Sequence, residues 1–146
     1  DAQLAQNRGV IRERGAAVGF EFGERARVWN TFDAHRLLHW AGLQSTAAQR
    51  ALKHAMLRAY HGQGLNPSDP SVLERLAGEA GLAPAEAAAV LREGRYADEV
   101  RAAETQWQQA GIQSVPSIVI DQRHLIQGGQ PPEVFERALR QIAAEG

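Results

Sequence analysis

The chain has 146 residues, of which 44% are hydrophobic and 23% charged, as in one globular domain and unlike a disordered segment. Its 16 basic and 17 acidic residues give a net charge of −1, so we expect no nucleic acid as a partner. No apolar run reaches the roughly 18 residues of a membrane span, and the lack of cysteine excludes disulfides, thiolate metal sites and a cysteine nucleophile within these residues.

As far as about residue 111, the spacing of apolar residues predicts helices joined by short loops. The first helix covers 3–17, and the second covers 31–44 with Asn30 or Thr31 as its N-cap. The others run from Ser45 or Thr46 to Gly62, from Pro70 to Gly81 after the N-cap Asp69, from Pro84 to Gly94, and over 96–110. Six such helices predict a packed helical unit.

The pattern changes after residue 111. SIVID (117–121) is short, β-branched and bounded by proline and aspartate, which predicts a strand, and HLIQ (124–127) follows it after a tight turn as the second strand of a hairpin. Two glycines end the hairpin, and prolines then start a last helix with an apolar stripe along EVFERALRQIAA.

The first strand is apolar at three successive positions, Ile118, Val119 and Ile120, so both of its faces require burial, as in a central strand. A two-stranded hairpin alone is marginally stable in water, and the chain offers no other convincing strand. We therefore expect the remaining strands of the sheet to come from residues outside these 146.

Val115 and Pro116 stand directly before the predicted strand. A proline there is commonly a trans proline at a strand start. However, a helix ending at glycine, an X-Pro pair, a buried strand and a hairpin together resemble the second half of a thioredoxin fold. A cis proline in that place would present the backbone groups of the preceding residue to an extended peptide or to glutathione.

Two further patterns are candidates for binding. His35 and His39 have the i, i+4 spacing of a zinc-binding pair, but Arg36 stands where the metalloprotease pattern has glutamate, so we expect no metal site and treat His35 as a possible cleft residue. Gly129 and Gln130, after Gly128, precede a helix and could bind an anion through backbone N–H groups. The favoured alternative for these glycines is a turn that needs positive φ angles.

Five segments together resemble the FrnE-type subgroup of the DsbA-like thioredoxin superfamily. They are NTFDAHRLLHWA (30–41), YHGQGLNPSDPSVLERLAGEAGL (60–82), YADEVRAAE (96–104), GIQSVPSIVID (111–121) and GGQPPEVFERAL (128–139), in order and at the expected spacing. The resemblance implies an α/β fold of thioredoxin type with a large all-helical insertion. Residues 1–110 would be the insertion with its flanking helix, and 111–146 the C-terminal half of the thioredoxin domain.

The resemblance also implies a disulfide oxidoreductase whose Cys-X-X-Cys lies in an upstream segment that these residues lack, so the 146 residues alone are expected to be redox-inactive. Val115 and Pro116 would form the cis-proline loop that faces the cysteines, and Asn30 and His35 would line the substrate cleft. The implied partners are a dithiol or disulfide protein, or glutathione as a substrate, without a resident cofactor, in the cytoplasm.

Two other functions stay open from the sequence. In the kappa-class transferases and 2-hydroxychromene-2-carboxylate isomerases, serine replaces the attacking cysteine, and glutathione contacts the positions that correspond here to Val115, Gly129 and Gln130. The deciding residue lies outside this sequence, although NTFDAHRLLHWA favours the oxidoreductase. The other alternative is a non-catalytic helical binding module.

Overall fold

The structure is a computed structural model that describes residues 2–24 and 27–145. Its helices and strands are α1 (Ala2–Ala17), α2 (Phe32–Gln44), α3 (Thr46–Leu57), α4 (Pro70–Glu79), α5 (Pro84–Arg92), α6 (Ala97–Gln109), β1 (Ser117–Ile120), β2 (His124–Gln127) and α7 (Pro132–Glu145). The chain divides into two compact units, Asp1–Val100 and Arg101–Gly146, so the division falls within α6. The predicted assignment of domains to 1–110 and 111–146 stays a prediction.

Two of the predicted helix starts are confirmed by capping bonds. The Ser45 side chain accepts a hydrogen bond from the backbone N–H of Ala48 at 3.0 Å, and Asp69 accepts one from Ser71 at 2.9 Å ahead of Pro70. At α2, Thr31 occupies the N-cap position, but its side chain makes no capping bond. The Asn30 side chain accepts a hydrogen bond from Phe32 N–H instead. Local sequence therefore sets where these helices begin.

The core of the N-terminal unit lies among α2, α3, α4 and α5. The largest fully buried side chains come one from each helix, namely Leu37, Leu52, Leu73 and Val90. Burial of a side chain of this size contributes about 1.5–3 kcal/mol to stability. The rest of the core is mostly alanine with Leu38, Trp40, Met56 and Leu76, which lets the helices pack closely.

The third helix ends at Gly62, as predicted, but its last turn is not α-helical. From α3 it continues into one π-helical turn, Arg58–Gly62, in which Gln63 N–H donates to the Arg58 carbonyl at 3.1 Å. Gly23 N–H donates to the His61 carbonyl at 2.8 Å. A side chain at Gly23 would collide with the backbone of Gly62, so the connector before α2 can lie against this turn only with glycine there.

In the C-terminal unit, β1 and β2 form an antiparallel pair with Ser117 opposite Gln127 and Ile120 opposite His124, which confirms the predicted hairpin. The turn between them places Asp121 and Gln122 at φ angles of 52° and 56°, and Arg123 N–H donates to the Ile120 carbonyl at 3.1 Å. Positive φ angles at both central residues are what a type I′ turn requires, the turn whose twist matches that of a hairpin.

No residue is fully buried in the described part of the C-terminal unit, residues 101–145. All four residues of β1 are half-buried, and β1 has only β2 as a neighbour in the sheet formed by the described residues. Along α7 the predicted apolar stripe is half-buried at Val134, Phe135, Ala138 and Ile142, whereas Leu139 is exposed. The burial that the sequence of β1 requires is therefore not supplied within these residues. Separately, none of the described helices is both long and apolar enough to cross a membrane.

Candidate functional site

The segment before β1 presents an exposed backbone. Val115 is 90% exposed, and within the described residues neither its N–H nor its carbonyl makes a hydrogen bond. The Val115–Pro116 peptide bond is cis. Hydrogen bonds hold the chain just beyond Val115: Gly128 N–H donates to the Pro116 carbonyl at 2.8 Å, and the Ser117 hydroxyl donates to the Ser114 carbonyl at 2.7 Å. Within the described residues, the backbone N–H and carbonyl of Val115 are thus without hydrogen-bond partners, while the carbonyls of Ser114 and Pro116 on either side are hydrogen-bonded.

The predicted binding residues Gly129 and Gln130 lie beside this segment, because the Gly128–Pro116 bond joins the end of the hairpin to its start. Gly128 has a φ of 80°, as the turn interpretation requires. The Gln130 side chain donates to the Gln127 carbonyl at 2.8 Å, and Gln130 N–H donates to the Gly128 carbonyl at 2.9 Å. Both Gly129 and Gln130 are exposed. The structure therefore brings four predicted site residues of this unit together.

This arrangement leaves main-chain hydrogen-bonding groups accessible to an extended chain, and no thiol lies among these residues. An unpaired N–H and carbonyl next to the start of a strand can accept another strand through main-chain hydrogen bonds. The sequence contains no cysteine, so none of its residues provides a thiolate.

The other two predicted site residues, Asn30 and His35, belong to the N-terminal unit. Asn30 is exposed, and its side-chain oxygen accepts from Phe32 N–H at 2.9 Å. His35 is exposed in the first turn of α2, where its backbone N–H donates to the Thr31 carbonyl at 3.0 Å. Their predicted contact with a substrate stays a prediction.

In the described portion of the chain, no group of three or more histidines and carboxylates that could hold an ion is found around His35 and His39 or elsewhere. His39 is half-buried, with its ring 5.2 Å from that of Tyr96. His39 therefore packs against an aromatic side chain.

Sequence reasoning missed the residue between these histidines. Arg36 is 5% exposed, and its guanidinium donates to the carbonyls of Val90 (2.8 Å), Leu91 (3.2 Å) and Arg95 (3.0 Å) and to the Asp33 carboxylate (2.8 Å). The contact with Asp33, three residues earlier, could have been predicted. The carbonyls are more than 50 positions away and could not.

Arg36 also fixes the turn that leads into α6. Tyr96 has a φ of 63°, in a region that bulky side chains rarely adopt. The Arg95 carbonyl just before it accepts the bond from Arg36, and the Arg95 guanidinium lies 5.4 Å from the Tyr96 ring. The Tyr96 hydroxyl, which accepts a hydrogen bond from that guanidinium, and the nearby Glu86 carboxylate raise the pKa of Arg95.

A helical unit followed by an X-Pro segment, a hairpin and a C-terminal helix is the arrangement of a protein of the thioredoxin class. The family model described as the DSBA-like thioredoxin domain matches residues 12–140, and the chain belongs to this family. Its fold is the DsbA-like thioredoxin fold, mostly helical, with a two-stranded antiparallel sheet and a C-terminal helix.

Among solved structures, the chain is similar to the crystal structure of a probable DsbA oxidoreductase from Streptomyces coelicolor. The two share 36% sequence identity with a TM-score of 0.90. The match covers 99% of this chain and 62% of that one, so this chain spans less than two thirds of its structural neighbour. No curated protein shows significant similarity.

Proposed function

We propose that this chain is part of a thiol–disulfide oxidoreductase of the FrnE type, whose Cys-X-X-Cys lies outside the 146 residues. Membership of the DSBA-like family supports this class of activity. The five sequence segments described above, which include the Asn30–Ala41 motif, support the FrnE subgroup. Because the chain has no cysteine, the reactive sulfurs have to come from another segment.

The observation that carries the proposal is the unpaired backbone of Val115. Its N–H and carbonyl are available beside β1, while the Pro116 carbonyl is held by Gly128 N–H. An extended stretch of a substrate can hydrogen-bond to Val115 and lie parallel or antiparallel to the strand. The position of the substrate disulfide is thereby set by backbone contacts, which tolerate many substrate sequences.

The weak burial of the C-terminal unit supports a sheet that is completed from outside these residues. Ile118, Val119 and Ile120 are only half-buried, although three successive apolar residues are typical of a strand covered on both faces. A further strand beside β1 and a helix over it would remove this apolar surface from water. In a thioredoxin-type fold, the strand–helix–strand segment that carries the cysteines would supply both.

The chemistry is an exchange of sulfur bonds. A thiolate at a helix N-terminus, where the helix dipole lowers its pKa, attacks one sulfur of the substrate disulfide and expels the other as a thiolate. The second thiolate of the pair then attacks the mixed disulfide, which releases the reduced substrate and leaves the enzyme oxidised. Run in reverse, the same steps oxidise a dithiol substrate. No resident cofactor is needed, and we place the reaction in the cytoplasm.

The test uses the intact protein and the insulin-reduction assay. We expect the reading frame upstream of Asp1 to encode a strand–helix–strand segment with Cys-X-X-Cys, and the intact protein to reduce insulin while the 146-residue chain does not. Val115→Pro removes the N–H at the proposed contact and should lower kcat/KM at least about tenfold. The substrate then loses one main-chain hydrogen bond and is no longer aligned with β1. Val115→Ala keeps the N–H and should stay within about twofold.

Three results would contradict this proposal. Insulin reduction by the 146 residues alone would overturn the claim that the sulfurs lie elsewhere. Equal activity of the proline and alanine variants would show that the Val115 backbone does not hold the substrate. An upstream gene segment without a strand–helix–strand unit would favour a non-catalytic helical module.

One observation favours a second candidate, a glutathione-dependent transferase or isomerase. The Gly128–Pro116 bond brings Gly129 and Gln130 next to Val115, and these are the positions that the glutathione-using branch would employ. A serine in place of the first upstream cysteine, together with turnover of glutathione and an aromatic electrophile, would establish this candidate and exclude disulfide exchange.

A further inference from the structure

The acidic residues of the chain are unevenly distributed. None of its 17 carboxylate side chains lies between Asp33 and Asp69, whereas residues 34–68 contain four of its 16 lysines and arginines and four of its five histidines. Arg36 is buried and bonded to Asp33 and to carbonyls. The other three cations are Arg50, Lys53 and Arg58.

These three cations lie on one exposed face of α3 and the following π turn. The opposite face packs into the core through Leu52, Ala55, Met56 and Ala59. The exposed side carries Arg50 and, three, four and eight residues after it, Lys53, His54 and Arg58. These spacings place the four residues on one side of a helix. We call these four residues the basic face. At 1.5 Å per residue it extends for about 12 Å.

The cations of the basic face differ from the ion-paired arginines of the protein. Arg12, Arg75, Arg92, Arg95 and Arg140 each lie within 4.0 Å of a glutamate carboxylate. Arg50, Lys53 and Arg58 form no ion pair with any carboxylate in residues 2–24 and 27–145. A cluster of exposed, unneutralised cations produces a local positive potential on a chain whose net charge is −1.

We propose that the basic face is a docking surface for an acidic polypeptide segment. Along an extended chain, alternate side chains point the same way and are about 6.6–7 Å apart, so two or three carboxylates can face cations spread over about 12 Å. Arginine can bind a carboxylate through two parallel hydrogen bonds, and Arg50 and Arg58 stand near the two ends of the face. Nucleic acid is disfavoured, because the face has no aromatic side chain on which a base could stack.

This surface goes beyond the proposed redox function and does not depend on it. The basic face lies in the N-terminal unit, whereas Val115 and Pro116 lie in the C-terminal unit. Docking requires no sulfur chemistry, so binding can be measured on the 146-residue chain whether or not disulfide exchange is confirmed.

The probe is a fluorescein-labelled peptide of alternating glutamate and serine, titrated with the chain at low ionic strength and followed by fluorescence anisotropy. We expect R50Q/K53Q/R58Q to raise the Kd about tenfold or more, since each substitution removes one attractive charge. The matched variant R75Q/R123Q/R137Q removes the same net charge from exposed positions elsewhere and should change the Kd less than about twofold. Raising the salt concentration should weaken binding to the unmodified chain.

Far-UV circular dichroism checks that the variants keep their helices. If the triple variant loses helix, the single substitutions replace it, each with an expected rise in Kd of about twofold. Equal weakening by the two triple variants would overturn the proposal, because it would show an effect of net charge alone. So would equal binding of a peptide with glutamine in place of glutamate, or tighter binding of a single-stranded oligonucleotide of equal charge.

Discussion

Replacing Arg36 with methionine should destabilise the helical unit more than any surface substitution. Methionine keeps the length and apolar character of the side chain but removes the guanidinium, which donates to the carbonyls of Val90, Leu91 and Arg95. Two of these carbonyls retain backbone donors, since Arg95 N–H bonds to Val90 and Gly94 N–H to Leu91. The Arg95 carbonyl, in contrast, loses its donor.

The expected size of the loss follows from these contacts. Charge-assisted hydrogen bonds contribute about 1.5–3 kcal/mol each, but the two carbonyls that keep a partner lose less than that. The ion pair with Asp33 contributes little, because the Asp33 side chain is 39% exposed and the pair is screened by water. We therefore expect Arg36→Met to lower the free energy of unfolding by about 2–4 kcal/mol, most of it the cost of leaving the part-buried Arg95 carbonyl without a donor.

Urea unfolding followed by far-UV circular dichroism measures this loss. Asp33→Asn should cost less than about 1 kcal/mol, because it removes only the exposed half of the network. Arg92→Met, at a side chain that is 70% exposed, is the matched control and should stay within about 0.5 kcal/mol. A loss below about 1 kcal/mol for Arg36→Met, or one no larger than that of the control, would refute the role assigned to Arg36.

Two further predictions concern the same unit. Gly23→Ala should lower the urea midpoint of unfolding, because the added methyl group would collide with the Gly62 backbone and break the hydrogen bond to His61. Gly9→Ala is the control and should not lower it, since the space around Gly9 in α1 is open. Equal midpoints for the two variants would contradict this prediction. The Ser71 hydroxyl and backbone N–H lower the pKa of Asp69 below its ordinary 3.8, so its stabilisation is present above that value and is lost as the pH falls through the lowered pKa. Asp69→Asn keeps a cap without this titration, so its stability difference from the unmodified chain should shrink on acidification; a constant difference would refute the assignment.

Part of the candidate site could be predicted from sequence. Val115, Pro116, Gly129 and Gln130 are marked by a proline before an apolar strand and by glycines before a helix, which are local patterns. The bond between Gly128 and Pro116, which joins the two segments, depends on the register of the hairpin. That register was predictable because the strands are adjacent in sequence and connected by a short turn.

The basic face was not predicted from the sequence, because a total charge near zero does not show how unevenly acidic and basic residues are distributed along the chain. The acid-free stretch from 34 to 68 is visible in the sequence. Which of its cations are free to meet a partner is not visible there, since Arg36 is buried while Arg50, Lys53 and Arg58 are exposed and unpaired with the described carboxylates. Helical periodicity separates these positions only when the core-facing side of each helix is known.

The sequence by itself determined the helix starts, the hairpin and the last helix, because Ser45, Asp69 and Pro70 act on backbone groups within a few residues. Only the tertiary structure decided the π turn at Arg58–Gly62, the close approach at Gly23 and the burial of Arg36. Each of these depends on atoms tens of residues away, whose positions are fixed by packing and which no local preference encodes.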